Sequence, residues 1–288
     1  LGRPEFFATT DGGLLQIENL SGNVFTTTFA VDAVARPDAV EAGAAVVATR
    51  VDGINYYGFE SLNLVLGSGD DILNVQGTTA VTNVAMGAGN DRIYVSSAAD
   101  VVDDPSPDAV LPDFLRGHLH NINGALNIDA GAGSAQVMLS GEASTLDNRD
   151  IVITDQLLAG EPAGADIAVR GLTGGDNSFG WVDLPQATIT YGASGDFANG
   201  VSIWTGFGTD EVWIDGTVAD TNVRTITALN TGLGDDIVYV DLDSAEANGS
   251  DTADGLLVLN TQGGWNDYAA LSDNDQVFGT GNHPVSGT

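Results

Sequence analysis

Cysteine is absent from the 288 residues, and so is lysine: all eight cationic side chains are arginines, against 40 Asp and Glu, for a net charge of −32. Without cysteine there is neither a disulfide nor a thiolate metal site. With so little positive charge there is no footprint for nucleic-acid phosphates, so nucleic acid is excluded as a partner. No apolar run is long enough to span a bilayer. Neither an HExxH zinc motif nor a G-x-S-x-G elbow occurs, and in a chain this acidic no particular carboxylate pair stands out, so no catalytic site is assigned. The scattered arginines leave little to neutralise an anionic sugar in a transition state. The chain opens on Leu1 without a leader-like segment, which raises the expectation of a processed product or an excerpt of something longer.

What the chain has in abundance is glycine, 38 residues, and much of it recurs in one pattern. GSGDDILNV (67–75) returns as GAGNDRIYV (87–95), GFGTDEVWI (206–214) and GLGDDIVYV (232–240). Two eroded copies are GAGSAQVML (131–139), with Ala135 in place of the aspartate, and GGWNDYAAL (263–271), with Trp265 in place of the second glycine. Each copy divides into a turn and a strand. The glycines permit positive φ and leave carbonyls uncovered, and the aspartate adds a hard anionic oxygen; carbonyl and carboxylate oxygens are what calcium selects. A structural alternative is that Gly and Asp simply form tight turns.

After each aspartate the apolar residues alternate: Leu73 and Val75, Ile93 and Val95, Val212 and Ile214, Val238 and Val240. This is the period of a strand with one buried face, and it places Asn74, Tyr94, Trp213 and Tyr239 on the outer side. Upstream of the turns, Leu64, Val84, Ile128, Ile203 and Leu229 supply one inward residue per copy. A unit of strand, turn and strand cannot bury its own face, whereas stacked units share a core.

On these residues the chain resembles the RTX (hemolysin-type) calcium-binding repeats, Gly-Gly-x-Gly-x-Asp-x-hydrophobic-x. The block FESLNLVLGSGDDILNVQGT is similar to repeats of very large bacterial surface and secreted proteins. The first glycine of the RTX pattern is replaced by Leu66, Met86, Thr205 or Thr231, and the motif does not return every nine residues. The resemblance implies an all-β, calcium-binding β-solenoid, wider than the narrow β-roll, with its Gly-x-Gly-x-Asp turns stacked along one edge. It implies several Ca2+ ions held by Gly67, Gly69 and Asp71, by Gly87, Gly89 and Asp91, by Gly206, Gly208 and Asp210, and by Gly232, Gly234 and Asp236. Asp267 is a weaker ligand, the 131–135 turn stays empty, and Asp70, Asn90 and Asp235 are accessory or solvent-facing.

A longer period aligns Gly67 with Gly206, Gly87 with Gly232 and Gly131 with Gly263. It divides the chain into a strand-rich lead-in (1–53), a first unit (54–146) and a second unit with connecting strands (147–288). Insertions at 96–121 and 241–255 are expected to emerge from one side. In the first, His118 and His120 share a face if extended, as a metal pair or as two ordinary loop histidines. The functional expectation is a secreted or cell-surface bacterial protein, stabilised by calcium and joined end to end with itself or with flanking repeats in a filament, surface layer or adhesin. The competing class is a carbohydrate-active or carbohydrate-binding β-helix, in which the outward aromatics form a sugar-binding strip.

Overall fold

A computed structural model describes residues 6–11, 14–19, 26–31, 54–56, 59–103, 111–173, 186–195, 197–216, 225–241, 256–260 and 276–280. Their regular elements are strands. The N-terminal part holds β1 (Phe6–Asp11), β2 (Leu14–Asn19), β3 (Thr26–Val31), β4 (Ile54–Tyr56), β5 (Ser61–Val65), β6 (Ile72–Val75) and β7 (Val81–Ala85). Then come β8 (Ala88–Gly89), β9 (Arg92–Val95), β10 (Leu126–Asp129), β11 (Ala132–Gly133), β12 (Gln136–Ser140), β13 (Ile151–Thr154) and β14 (Ile167–Arg170). The last are β15 (Ile189–Gly192), β16 (Phe197–Trp204), β17 (Glu211–Ile214), β18 (Thr225–Asn230), β19 (Ile237–Asp241), β20 (Leu256–Asn260) and β21 (Gln276–Thr280).

These segments are strands because their apolar residues recur every second position and are rich in β-branched side chains. In β5, Leu62 and Leu64 are buried while Asn63 and Val65 lie on the other face at intermediate exposure. β7 repeats the pattern with Thr82 and Val84 inside. The inward residues read from the sequence, from Leu64 and Leu73 through Val238 and Val240, are all buried. They join one continuous apolar cluster running from Tyr56 to Val240, with members on both large sheets.

An eleven-stranded sheet has the order β1-β2-β5-β7-β10-β15-β14-β13-β17-β19-β21, and an eight-stranded sheet the order β20-β18-β16-β12-β9-β6-β3-β4. A two-stranded ribbon of β8 and β11 lies within the turns that connect them. Pairing is mixed: β1 with β2, β13 with β14, and β14 with β15 are antiparallel, while the remaining ladders are parallel.

The expected all-β calcium-binding solenoid of stacked GxGxD coils is therefore corrected: the described residues form several sheets of mixed pairing and no closed solenoid. Nor do the turns share one edge. Those at 67–71, 87–91 and 131–135 lead from the eleven-stranded sheet to the eight-stranded one, as β5 to β6, β7 to β9 and β10 to β12. Those at 206–210 and 232–236 lead back the other way, as β16 to β17 and β18 to β19. Since neighbouring strands of either kind run parallel, the two groups lie at opposite margins. The change of margin follows from the odd run of strands, β12 to β16, that separates the 131–135 turn from the 206–210 turn; within it β14 reverses direction inside the eleven-stranded sheet, while β13 and β15, both antiparallel to it, keep the common direction.

A second correction concerns Asn74 and Tyr94, placed outward by the alternation but 1% and 0% exposed. The insertion after β9 folds back over them, so that Ile72, Tyr94, Ala99, Leu115 and Met138 form a separate apolar cluster with Val101 against it. Asn74 holds the insertion by donating from Nδ2 to the Val101 carbonyl (2.8 Å) and accepting its N–H at Oδ1 (2.9 Å). The Ser140 hydroxyl likewise accepts the Leu115 N–H (3.1 Å) and donates to its carbonyl (2.7 Å). Trp213 and Tyr239 do lie on the outer side, half-buried and stacked with ring centroids 3.8 Å apart. Residues 242–255 of the second insertion lie outside the described residues.

Candidate metal-binding turns

The glycines of the motif are fixed by close stacking. Gly87 has φ +98°, and a Cβ there would sit 1.7 Å from the Gly67 carbonyl oxygen of the turn beside it. Gly232, at the opposite margin, would meet the Gly206 carbonyl at the same 1.7 Å with φ +85°. Backbones this close bond directly: the Ala88 N–H donates to Gly67 O (2.9 Å) and the Gly69 N–H to Ala88 O (2.8 Å). The close approach explains why no side chain is tolerated at these positions, independently of any metal.

The aspartates form ladders between turns. Asp91 Oδ1 accepts the N–H of Asp71 (2.9 Å) and Asp236 Oδ1 accepts the N–H of Asp210 (2.8 Å). Asp71, Asp91, Asp210 and Asp236 are all 0% exposed. The structure thus brings Asp71 together with Asp91, and Asp210 with Asp236, but separates the two pairs. One carboxylate oxygen of Asp91, of Asp210 and of Asp236 serves the backbone. The other oxygen of Asp91 and of Asp210 is buried with no hydrogen-bond partner among the described residues.

At the second margin the structure adds a member outside the glycine pattern, STLDN (144–148). Ser144 packs against Gly206 and Leu146 against Gly208, so Asn148 occupies the aspartate position. Asn148 donates its N–H (2.9 Å) and its Nδ2 (3.1 Å) to Asp210 Oδ1. With the amide so oriented, Asn148 Oδ1 is buried and has no donor among the described residues. Two acceptor oxygens, Asp210 Oδ2 and Asn148 Oδ1, therefore lie in adjacent turns without a hydrogen to receive. The missed signal is the Asn that ends a five-residue turn just before the β-run IVIT (151–154). At the first margin another missed turn, GASG (192–195), sets Ser194 and Gly195 on Gly131, both N–H groups donating to its carbonyl (2.9 and 2.8 Å).

Burial decides the electrostatics. It pushes the Asp91 carboxyl up to about 6, with the neighbouring charges of Asp71 and Asp70 adding to the shift and the Asp71 N–H opposing it. Burial likewise pushes Asp210 up to about 7, with the Asp147 charge adding to the shift and with the nearby Thr205 hydroxyl and the bonds from Asn148 opposing it; the Thr205 hydrogen itself is directed to the Thr231 carbonyl (2.9 Å). A carboxylate held away from water with an uncompensated oxygen takes either a proton or a cation.

The remaining sequence candidates separate as follows. Ala135 is buried at the aspartate position of the 131–135 turn and brings no carboxylate. Asp70 Oδ1 accepts the Asn90 N–H (2.7 Å) in an exposed outer ladder. Asp235 is half-buried. Asp267 lies outside the described residues. His118 and His120 stack at 4.8 Å, and His120 Nε2 meets the Ser144 hydroxyl at 3.1 Å. Burial lowers both histidines, His120 to about 4 with His118 adding to the effect, so the pair is neutral at pH 7. Among the described residues no three His, Cys, Asp or Glu side chains converge on one point, so a cation shell there would draw on amide and carbonyl oxygens besides carboxylates. No helix among them is long and apolar enough to cross a membrane. Comparison with family models, with curated proteins and with solved structures gives no match.

Proposed function

We propose that this chain is a rigid structural module of an extracellular protein, held by calcium at two stacks of buried carboxylates, one along each margin. The observation that carries the reading is the pair of donorless oxygens at the second margin, Asp210 Oδ2 and Asn148 Oδ1, with Asp91 Oδ2 as their counterpart at the first. A hydrogen-bond ladder alone needs only one oxygen per side chain. A second buried oxygen facing no donor is favourable only when something positive lies against it. The net charge of −32 adds to the case, because bound divalent ions relieve the self-repulsion of the folded state. Calcium is the cation that the all-oxygen surroundings favour, and its abundance outside cells couples folding to export.

The test is a pair of melts. With calcium at 100 times its Kd, each site adds about 2.7 kcal/mol, so excess EDTA lowers Tm by many degrees. Asp210→Asn keeps an acceptor for the Asn148 N–H while removing charge, so it melts lower in calcium and gains little from it at that margin. A wild-type melt indifferent to EDTA at pH 7 contradicts the proposal and leaves the protonated carboxyl as the explanation of the buried oxygens.

A further inference from the structure

On the outer face of the eleven-stranded sheet, β5, β7, β10 and β15 floor a groove with a cavity of about 400 Å3. Its floor is a row of in-register polar residues, Asn63, Asn83, Asn127 and Thr190. They form a directional chain: Thr190 Oγ1 donates to Asn127 Oδ1 (2.9 Å), Asn127 Nδ2 to Asn83 Oδ1 (2.8 Å), and Asn83 Nδ2 to Asn63 Oδ1 (2.7 Å). Each amide nitrogen has two hydrogens. Asn83 and Asn127 use one each, and the second makes no hydrogen bond among the described residues. Each Oδ1 also keeps a lone pair. The groove thus repeats a donor and an acceptor at the three asparagines, Asn63, Asn83 and Asn127, with the buried Thr190 anchoring the end of the chain, and donation along the chain polarises each amide toward a stronger contact with the next group.

The geometry points to this groove as a binding site for a neutral, extended β-linked glycan lying across the strands. Spacing is the first argument. Like groups recur at the strand separation of about 4.8 Å, over about 10 Å for the three asparagines, and one pyranose ring of an extended β-linked chain advances by close to one such step, so that a chain whose rings alternate in facing returns like groups at every second strand. An extended peptide presents like groups about every 6.6 Å and falls out of step. It also has no free backbone to pair with, because the site is a sheet face and not an edge. Surface character is the second argument. Val65, Ala85 and Pro162 give apolar contact for the C–H faces of sugar rings, while the ladder meets hydroxyls that both donate and accept. Charge is the third. Asp129 stands exposed in the lining, and the whole chain is strongly acidic, which excludes uronates and sulfated sugars. The wall at 162–165 is built for the purpose of rigidity: Arg170 clamps Glu161 through Nε (3.0 Å) and Nη2 (2.7 Å) at the base of that loop.

The test is calorimetric titration of the full chain, in calcium, with cellohexaose, xylohexaose and mannohexaose, and with oligogalacturonate as the anionic control. Binding of a neutral hexaose and none of the oligogalacturonate is expected. Ala165→Trp fills the groove from the wall without touching the ladder and is expected to weaken binding at least tenfold at unchanged Tm. Asn83→Leu removes the central donor and acceptor and is expected to do the same. The proposal is overturned if no neutral hexaose binds, if the anionic oligomer binds as well as the neutral ones, or if Ala165→Trp binds like the parent.

Discussion

Replacing Gly87 by alanine tests whether the glycines of the motif are there for stacking. The new Cβ would begin 1.7 Å from Gly67 O, about half an ordinary contact distance of 3.4 Å or more, and the atom it meets is backbone that cannot swing aside. Neighbouring turns have to part, which sacrifices the bonds from Ala88 N–H to Gly67 O and from Gly69 N–H to Ala88 O at about 1 kcal/mol each. Holding alanine at φ +98° adds about 1–2 kcal/mol. The sum is about 3–4 kcal/mol, well above the ~1 kcal/mol of an average substitution. Gly160 supplies the control, since it has φ +105° but nothing within 4 Å of the added Cβ; Gly160→Ala should show only the conformational part, about 1–2 kcal/mol. Equilibrium urea unfolding in saturating calcium measures both. Equal losses in the two variants would refute the stacking argument, because the backbone conformation alone would then account for the glycine.

Three further outcomes follow from the same geometry. In EDTA, Asp91 and Asp210 have folded pKa values of about 6 and about 7, above the ~3.9 of an unfolded aspartate, so the folded state binds more protons and their contribution to stability falls as pH rises from about 4 to about 7. Urea midpoints across that window, with a shallower slope in Asp210→Asn, check the sign; a slope unchanged by the substitution counts against the buried carboxyl as its source. Leu115→Asp puts a charge under the insertion that covers Ile72 and Tyr94, and should cost about 2–4 kcal/mol and open residues 96–121 to limited proteolysis while the main core stays protected. Arg170→Gln breaks the clamp on Glu161 for about 1 kcal/mol and should weaken hexaose binding severalfold through the loosened 162–165 wall; a variant with parental affinity would show that the wall needs no clamp.

The strands beside the intact turns were legible because a single alternation runs through each: Leu73 and Val75, Ile93 and Val95 are inward in the sequence pattern and buried in the structure. The opposite margins were not legible. They depend on whether the number of strands between Gly131 and Gly206 is odd or even, and alternation alone does not show that the motif returns after a strand of the eight-stranded sheet, β16, where the earlier copies follow strands of the eleven-stranded one. Periodicity likewise cannot report what a distant insertion covers, which is why Asn74 and Tyr94 read as solvent-facing although Ala99, Val101 and Leu115 of the insertion lie over them. Of the candidate site, Asp71, Asp91, Asp210 and Asp236 were visible through the glycines that flank them. Asn148 was not, because its turn stacks through Ser144 and Leu146 in place of glycine. The asparagine ladder escaped for another reason: Asn63, Asn83 and Asn127 occupy equivalent outward positions only once the register is known.

The central claim is that cations lie against the buried turn carboxylates, and anomalous diffraction tests it most directly. Crystals grown with calcium and then exchanged into terbium should show anomalous peaks at both margins, one beside Asp91 and one between Asp210 and Asn148. An ordered map in which both pairs of turns are clear, with no peak at either position, would contradict the account.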